Sequence, residues 1–213
     1  MTKKHGIVFS GGRHYPHHPF YKELNNEYII CADSGLDSAM NEGLSVDMVI
    51  GDLDSISPRG MEAINKASIN FYESNKGDDL SDTELAINYL IEHEFDSIDV
   101  INSIGTRVDH SLVNITTLLK YEGLVKSLRN PYSEIKLLNE EVITDQSCIV
   151  SIIPLFGTSL NVDIIGFNYG TEDTKIEYAT SIGISNSLNK EKGTIRLKEG
   201  KALLIKSWEE SNE

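Results

Sequence analysis

Two aspartates separated by one residue, Asp52 and Asp54, follow directly on the apolar run of residues 48–50. In an extended segment their side chains point to the same side, because a strand has a side-chain period of two. Two negative charges ~4 Å apart repel by about 4 kcal/mol at an effective dielectric constant of about 20. A divalent cation offsets this repulsion, and hard oxygen ligands suit Mg²⁺. The pattern therefore predicts a magnesium site, with a solvated turn as the alternative.

Two further acidic segments could join this site. Asp33, Ser34 and Gly35 follow the apolar run of residues 28–32, where a helix cap followed by a turn is the simpler interpretation. Asp79 and Asp82 stand at the entrance to a helical pattern, where negative charge also stabilises the positive end of a helix. The functional interpretation is that Asp79 or Asp82 joins Asp52 and Asp54 around the metal.

A fourth polar segment runs from Gly105 to Asn114 and opens a second helical pattern. Arg107 carries the planar donor fork that suits phosphate, and Asp109 either orients it or caps the helix. His110 and Asn114 share a helix face at a spacing of four residues. Ligands of parallel sheets bind outside the carboxyl ends of the strands. The four segments together therefore predict a metal–polyphosphate site.

Two other segments near the N-terminus remain open to more than one interpretation. Ser10–Arg13 follows the first predicted strand, so its backbone N–H groups either approach phosphate or form a plain turn. His14, His17 and His18 are interleaved with prolines, which favours a surface loop over a metal site. The sequence contains no G-x-x-x-x-G-K-[ST] and no G-x-G-x-x-G after a strand, so neither a P-loop nor a dinucleotide motif is present.

The elements that must position these residues alternate between strand and helix in the first part of the chain. Short apolar runs typical of strands buried on both faces occur at residues 7–9, 28–32, 48–50 and 98–101, with a weaker candidate at 69–72. Residues 81–93 and 109–121 have apolar side chains at helical spacing, and Ser81 and Glu84 have the spacing of a capping box. This alternation predicts a parallel α/β sheet.

The second part of the chain has a different pattern of apolar and turn-forming residues. Strand-like runs punctuated by Gly and Asn, at residues 135–138, 148–153, 160–165, 194–197 and 202–205, are typical of an all-β module. Residues 129–131 (Arg-Asn-Pro) are the best linker. We therefore expect an α/β N-terminal domain with a mainly parallel, Rossmann-like sheet over residues 1–130. An all-β, sandwich-like C-terminal domain over residues 131–213 should follow.

Composition excludes several classes of protein. The formal net charge of −14 over 213 residues argues against a non-specific nucleic-acid binder, which needs cationic side chains to displace counterions. No apolar run is long enough for a membrane-spanning helix, and the first residues do not resemble a signal peptide. Two cysteines form no disulfide framework, so we expect a reducing cytoplasm.

Taken in order, the motifs resemble those of the thiamine pyrophosphokinase family, and the resemblance covers nearly the whole chain. The C-terminal segments 181–186, 193–194 and 200–205 also look like the ending of that family. In the first part, the residues that carry the resemblance are Ala32-Asp33-Ser34-Gly35, Gly51-Asp52-Leu53-Asp54-Ser55, Ser81-Asp82-x-Glu84-Leu85-Ala86 and Gly105-x-Arg107-x-Asp109-His110-x3-Asn114.

This resemblance implies a catalytic N-terminal domain that binds ATP and Mg²⁺, and a β domain that helps to bind thiamine and to dimerise. It implies a homodimer with active sites at the subunit interface and the reaction ATP + thiamine → AMP + thiamine diphosphate. We assign catalysis to Asp52, Asp54, Asp82 and Arg107, metal binding to those three aspartates and Asp79, and the hydroxyl proton to Asp82. The remaining binding residues are Asp33, Ser34, Gly35, Ser81, Asp109, His110 and Asn114, together with Ser185 and Asn186, which would face thiamine from the β domain of the partner subunit.

The chain departs from the family pattern before the long helix, where the family commonly has Lys-Asp-x-Thr-Asp. Asp78 stands in place of the lysine, and Ser81 keeps a hydroxyl. This change removes one phosphate-neutralising charge and leaves Arg107 or Lys76 to supply it.

Two other functions are consistent with parts of the pattern. An apolar strand followed by Asp52 and Asp54 also resembles the first motif of haloacid-dehalogenase-like phosphatases, in which the first aspartate is a nucleophile. Against this interpretation, the motif lies far from the N-terminus and Ser55 follows it immediately. A non-catalytic nucleotide- or metal-sensing module would bind ATP without turnover.

Overall fold

A computed structural model describes residues 3–24, 27–52, 54–66, 69–74, 79–155 and 157–210. The chain divides into two compact units, Met1–Pro131 and Tyr132–Glu213. The predicted linker is wrong for Arg129 and Asn130. Both belong to the last strand of the first unit, where Asn130 is buried.

The first unit is built on a parallel sheet in the strand order β4-β3-β2-β1-β5-β6. Starting from β1, the chain adds strands on one side as far as β4 and then crosses to the other side for β5 and β6. The strands are β1 (His5–Phe9), β2 (Tyr28–Ala32), β3 (Met48–Gly51), β4 (Asn70–Glu73), β5 (Ser97–Ile101) and β6 (Val125–Asn130). The predicted parallel α/β sheet is thereby confirmed.

Helices cover both faces of this sheet. Gly6 faces Leu90 of the third helix, whereas its neighbour Ile7 belongs to a buried cluster with Leu36 of the first helix. Because successive strand residues point to opposite faces, these two helices lie on opposite sides. The helices are α1 (Gly35–Asn41), α2 (Pro58–Asn65), α3 (Asp82–Glu92) and α4 (Val108–Lys120), with a 3₁₀ helix at Pro19–Leu24.

In the described part of the second unit, the regular elements are all strands. Antiparallel pairing joins β7, β13 and β9 in one group and β11, β10, β12 and β8 in another. One apolar cluster takes side chains from both groups, including Ile152 of β9 and Val162 of β10. The strands are β7 (Ser133–Leu137), β8 (Glu140–Ile143), β9 (Ile149–Pro154), β10 (Leu160–Ile165), β11 (Thr171–Ile176), β12 (Gly193–Glu199) and β13 (Ala202–Ser207).

The elements that the hydrophobic pattern of the sequence did not identify are short or polar. Strand β11 reads Thr-Glu-Asp-Thr-Lys-Ile and β8 reads Glu-Glu-Val-Ile, so hydrophobic patterning does not mark them. Their backbone groups instead pair with the apolar strands β10 and β12. In the described part of the chain, no helix combines the length and apolar character needed to cross a membrane.

Candidate active site at the carboxyl ends of the parallel strands

A cavity of about 590 Å³ lies at the carboxyl ends of the parallel strands of the first unit. Its lining comes from the segments that follow β1 to β5 and from the first turns of α3 and α4. The strand order reverses between β1 and β5, and open parallel sheets bind ligands at such a switch point. The connectivity of the sheet therefore places the polar strand ends around one space.

Backbone hydrogen bonds join the loops after β1 and β5, both of which line this cavity. The N–H of Gly12 donates to Asn102 O at 2.7 Å, and the N–H of Arg13 donates to Ile104 O at 2.9 Å. A Cβ at Gly12 would lie 2.1 Å from Asn102 O, so this approach requires glycine. The loop after β1 is consequently a rigid wall of the cavity.

Four aspartates line the cavity, namely Asp33, Asp52, Asp54 and Asp82. Burial raises the pKa of Asp33, and the negative charges of Asp52 and Asp54 raise it further, against hydrogen bonds from Ser55 and Ser34. The Oδ1 atom of Asp33 is buried without a hydrogen-bond partner in the structure. An unpartnered carboxylate oxygen beside other carboxylates is a place where a cation would be stabilising.

Asp82 reaches the cavity because α3 begins there. Ser81 is the N-cap of α3, and its hydroxyl accepts from the N–H of Glu84 at 3.3 Å. Burial raises the pKa of Asp82, with a smaller contribution from the other three aspartates, while a 3.1 Å hydrogen bond from Ser74 Oγ opposes the rise. The first turn of α3 thus presents Asp82 toward the same charges that surround Asp33.

Asp52 lies just beyond the end of β3, and Asp54 lies in a turn. The N–H of Asp54 donates to Asp52 Oδ1 at 3.2 Å, and Ser55 Oγ donates to Asp54 Oδ1 at 3.0 Å. Within the described ranges, no three His, Cys, Asp or Glu side chains are grouped closely enough to hold a metal ion by themselves. Mg²⁺ is usually held by one or two carboxylates together with waters and substrate phosphates. The unpartnered oxygen of Asp33 and the neighbouring carboxylates therefore fit Mg²⁺ carried by a phosphorylated substrate.

The start of α4 contributes the basic side of the predicted site. Arg107 forms a two-bond ion pair with Asp109, with Nη2–Oδ2 at 2.6 Å and Nε–Oδ1 at 3.3 Å. Both side chains are mainly exposed. Of the two roles predicted for Asp109, orientation of Arg107 is therefore the one that a direct contact supports.

Buried side chains of α4 form hydrogen bonds with the loop that precedes this helix. Ser111 Oγ accepts from the N–H of Gly105 at 3.0 Å, and Asn114 Nδ2 donates to Ser103 O at 2.8 Å. Asn114 is buried, so it holds the loop after β5 in place while lining the cavity. His110 also lines the cavity.

The structure brings most, but not all, of the predicted residues of the first unit together. Gly35, Asp79 and Asp109 are described but are not among the residues that line the cavity. A Cβ at Gly35 would lie 2.0 Å from Phe9 O, so this glycine allows α1 to begin against the end of β1. The predicted residues that line the cavity are Asp33, Ser34, Asp52, Asp54, Ser81, Asp82, Arg107, His110 and Asn114. Lys76 and Asp78, named in the departure from the family pattern, lie outside the described residues.

The two predicted thiamine residues lie in the second unit. Ser185 is exposed with φ of 56°, and its N–H donates to Ser151 Oγ at 3.0 Å. Asn186 is buried and paired with Val150 through both backbone groups. Its side chain accepts from the N–H of Tyr169 at 3.0 Å and donates to Tyr169 O at 3.1 Å. Of the two, Ser185 is the exposed one.

Sequence reasoning missed several hydroxyl residues that line the cavity. Ser74 and Ser103 follow β4 and β5, so the strand-end rule that selected the aspartates would have found them. Thr83 is buried beside Asp82 and shares a 3.0 Å hydrogen bond with Ser10. The Oγ of Ser103 is buried without a partner in the structure.

Comparison with known proteins gives matches over both units. The family model described as "Thiamin pyrophosphokinase, catalytic domain" matches residues 21–129. The model described as "Thiamin pyrophosphokinase, vitamin B1 binding domain" matches residues 138–202. All the cavity aspartates fall in the first matched range and Ser185 in the second.

Individual relatives agree with these matches. The thiamine pyrophosphokinase of Bacillus subtilis (strain 168) is 26% identical over 188 residues, covering 84% of this chain and 86% of that protein. The crystal structure of thiamine pyrophosphokinase from Bacillus subtilis is similar with a TM-score of 0.84 at 25% identity, covering 98% of this chain and 100% of the other. The structure from Geobacillus thermodenitrificans has a TM-score of 0.81 at 24% identity, covering 97% and 98%, which supports the fold.

Proposed function

The chain belongs to the thiamine pyrophosphokinase family, and we propose that its cavity transfers a pyrophosphoryl group from ATP to the hydroxyl of thiamine. The observation that carries this proposal is the group of four aspartates around the switch point of the parallel sheet, within the range matched by the catalytic model. The phosphatase and the non-catalytic sensing module are not supported, since both family models describe a thiamine pyrophosphokinase.

In the proposed reaction the thiamine hydroxyl oxygen attacks the β-phosphorus of ATP in line. The bond between the β-phosphorus and the oxygen that bridges to the α-phosphorus breaks, and AMP leaves with that oxygen. The hydroxyl proton passes to Asp82, which lines the cavity. Little covalent chemistry falls to the protein, so positioning and charge neutralisation carry the rate.

Asp52 and Asp54 are the proposed ligands of Mg²⁺, and Asp79 or Asp82 would complete the shell directly or through water. When bound, the metal neutralises charge that develops on the phosphate oxygens. The lining of the cavity supports Asp82 more directly than Asp79, because only Asp82 of the two is exposed to the cavity. Asp33 contributes negative charge beside these ligands.

Arg107 is the proposed phosphate contact at the start of α4, oriented by its ion pair with Asp109. The other residues proposed on the ATP side act through hydroxyl, amide, imidazole and backbone groups: Ser34, Gly35, Ser81, His110 and Asn114. Gly35 acts indirectly, since it lets α1 start close to β1.

We further propose that the thiamine site is completed by the second unit of a partner subunit. Ser185 would face thiamine, and Asn186 would hold the loop that carries it by its bonds to Tyr169. In this proposal, residues 1–130 form a Rossmann-like ATP- and Mg²⁺-binding catalytic domain. Residues 131–213 form a sandwich-like domain for thiamine binding and dimerisation in a cytoplasmic homodimer.

The proposed function is tested by supplying ATP, Mg²⁺ and thiamine and separating the products by chromatography. We expect AMP and thiamine diphosphate in equal amounts, and loss of both when thiamine or Mg²⁺ is omitted. Asp52→Asn should lower the rate by about 100-fold or more without changing the circular dichroism spectrum. Formation of ADP alone, phosphate release without thiamine, or full activity of Asp52→Asn would each contradict the proposal.

A further inference from the structure

The first turn of α3 contacts three different segments of the first unit through three successive side chains. Asp82 Oδ1 accepts a hydrogen bond from Ser74 Oγ, which follows β4. Glu84 Oε1 accepts a hydrogen bond from the Tyr121 hydroxyl at the end of α4. Thr83, which lies between these two residues, shares a 3.0 Å hydrogen bond with Ser10 Oγ. The position of Asp82 therefore depends on contacts with segments that are distant in the sequence.

The contact between Thr83 and Ser10 is buried and lies at the switch point of the sheet. Both side chains are buried, and both residues line the cavity. The N–H of Ser10 donates to Ile101 O at 2.8 Å, which continues the pairing of β1 with β5. The Ser10 hydroxyl is therefore held by the end of the sheet itself, and it fixes the start of α3 against that end.

The loss of either hydroxyl would disturb this arrangement. Each hydroxyl carries one donor and accepts hydrogen bonds, and a buried hydroxyl that loses its partner costs more than the bond alone is worth. The first turn of α3 would then move away from Ser10 or admit water. Because Asp82 directly precedes Thr83, its carboxylate would move with the turn. A displacement of about 1 Å at a reacting group can lower a rate by about 100-fold.

We infer that Thr83 and Ser10 are positioning residues that hold the Asp82 carboxylate where it meets the reacting groups. The inference rests on the proposed function, in which Asp82 receives the hydroxyl proton of thiamine. In this inference neither hydroxyl contacts a substrate, since both act through the start of α3.

Steady-state kinetics of Thr83→Val and Thr83→Ser give the first test. Thr83→Val keeps the shape of the side chain but loses the hydroxyl, so kcat should fall about tenfold or more. The KM values for ATP and thiamine should stay within about twofold, because the change affects the reacting geometry rather than substrate binding. Thr83→Ser keeps the hydroxyl and should recover most of the rate. A higher KM for ATP with an unchanged kcat would mean that Thr83 binds substrate, which overturns the inference.

Ser10→Ala removes the same hydrogen bond from the other side. Because the two variants lose one shared contact, the double variant Ser10→Ala/Thr83→Val should lower kcat by about as much as either single change. A loss equal to the product of the two single losses would show that the hydroxyls act independently and would overturn the inference.

Thr117→Val is the matched control. Thr117 is buried on α4, its Oγ1 donates to Asn114 O at 2.6 Å, and it lies outside the cavity lining. The substitution also replaces a buried helix hydroxyl by a methyl group, so its kcat should stay within about twofold of wild type. A loss equal to that of Thr83→Val would assign the effect to any missing buried hydroxyl and would contradict the inference.

Crystal structures of the Thr83 variants test the position of Asp82 without any turnover. The distance from Ser74 Oγ to Asp82 Oδ1, which is 3.1 Å, should exceed about 3.5 Å in Thr83→Val, where the hydrogen bond is lost. It should be unchanged in Thr83→Ser. An unchanged distance in Thr83→Val would overturn the inference whatever the rate. If wild type makes no thiamine diphosphate, the proposed function fails, while these distances still decide whether Thr83 positions Asp82.

Discussion

The carboxylate of Asp33 is held where burial and the charges of Asp52 and Asp54 both oppose its ionisation. The same is true of Asp82, which faces those three aspartates. Such an arrangement is unfavourable for folding by itself, because like charges repel most strongly where water is excluded. A binding partner with positive charge would offset this cost, and ATP brings one when it carries Mg²⁺. At the scale of single residues, this arrangement of carboxylates supports the proposal that the site binds a metal–nucleotide complex.

Asp82 and Asp79 provide the sharpest prediction at this scale. Both belong to the acidic segment at the start of α3, but only Asp82 lines the cavity and contacts Ser74 there. We expect Asp82→Asn to lower kcat by about 100-fold, because the proposed acceptor of the hydroxyl proton is lost. Asp79→Asn, which makes the same chemical change three residues away, should stay within a few-fold of wild type. Equal losses in a coupled AMP assay would mean that Asp79 also reaches the substrate.

The elements around the cavity are positioned by close backbone contacts between strand ends. Helix α1 can begin beside β1 because Gly35 has no Cβ to meet Phe9 O. The N–H of Leu36 donates to Asp33 O at 3.1 Å, so the turn that carries Asp33 into the cavity continues directly into the helix. Asp33 itself has φ of 46°, a left-handed conformation that aspartate tolerates better than most residues. The helix start and the position of this carboxylate are therefore coupled.

Gly35→Ala tests that coupling at the scale of elements. A Cβ placed 2.0 Å from Phe9 O forces α1 away from β1, so we expect a loss of about 3 kcal/mol in the free energy of unfolding. Gly43→Ala is the control, since Gly43 has φ of 71° and no atom within 4 Å of a new Cβ. Its loss should be about 1 kcal/mol, from backbone strain alone. Urea unfolding followed by circular dichroism measures both values, and equal losses would show that the contact at Gly35 carries no special cost.

The whole molecule consists of two units with different architectures, each matched by its own family model. The first unit contains the described carboxylate cavity. The second contains Ser185, which is exposed on a loop whose neighbour Asn186 is locked to β9 and to Tyr169. A reaction between two substrates is consistent with this arrangement, in which one unit would bind the phosphoryl donor and the other the acceptor. The proposed homodimer places the two units of one site on different chains.

Subunit complementation tests this proposal for the whole molecule. Asp52→Asn disables the catalytic unit, and Ser185→Lys places a positive charge against the cationic thiazolium of thiamine. If each site uses two chains, mixing the inactive variants produces hybrid dimers with one intact site, and about a quarter of wild-type activity returns after random exchange. If each chain holds a complete site, no activity returns. Mixing Asp52→Asn with Asp54→Asn is the control, because both changes affect the same unit and no intact site can form.

The sequence by itself determined the elements whose physics is local. Ser81 and Glu84 marked the start of α3, and apolar runs marked β1, β2, β3 and β5 to within a few residues. It did not reveal β8 and β11, whose polar residues form strands because apolar neighbours pair with them.

Only the tertiary structure decided which of the candidate polar residues share one space. Asp82 lines the cavity and Asp79 does not, although both stand at the entrance to the same helical pattern. Arg13 lies at the cavity because its loop is fastened to the loop after β5, a contact between segments about 90 residues apart that no local pattern encodes. Local chemistry thus specified the types of the functional residues. The crossover from β4 to β5, which places β5 beside β1, brought these residues together, since proximity at a switch point depends on strand order rather than on spacing along the chain.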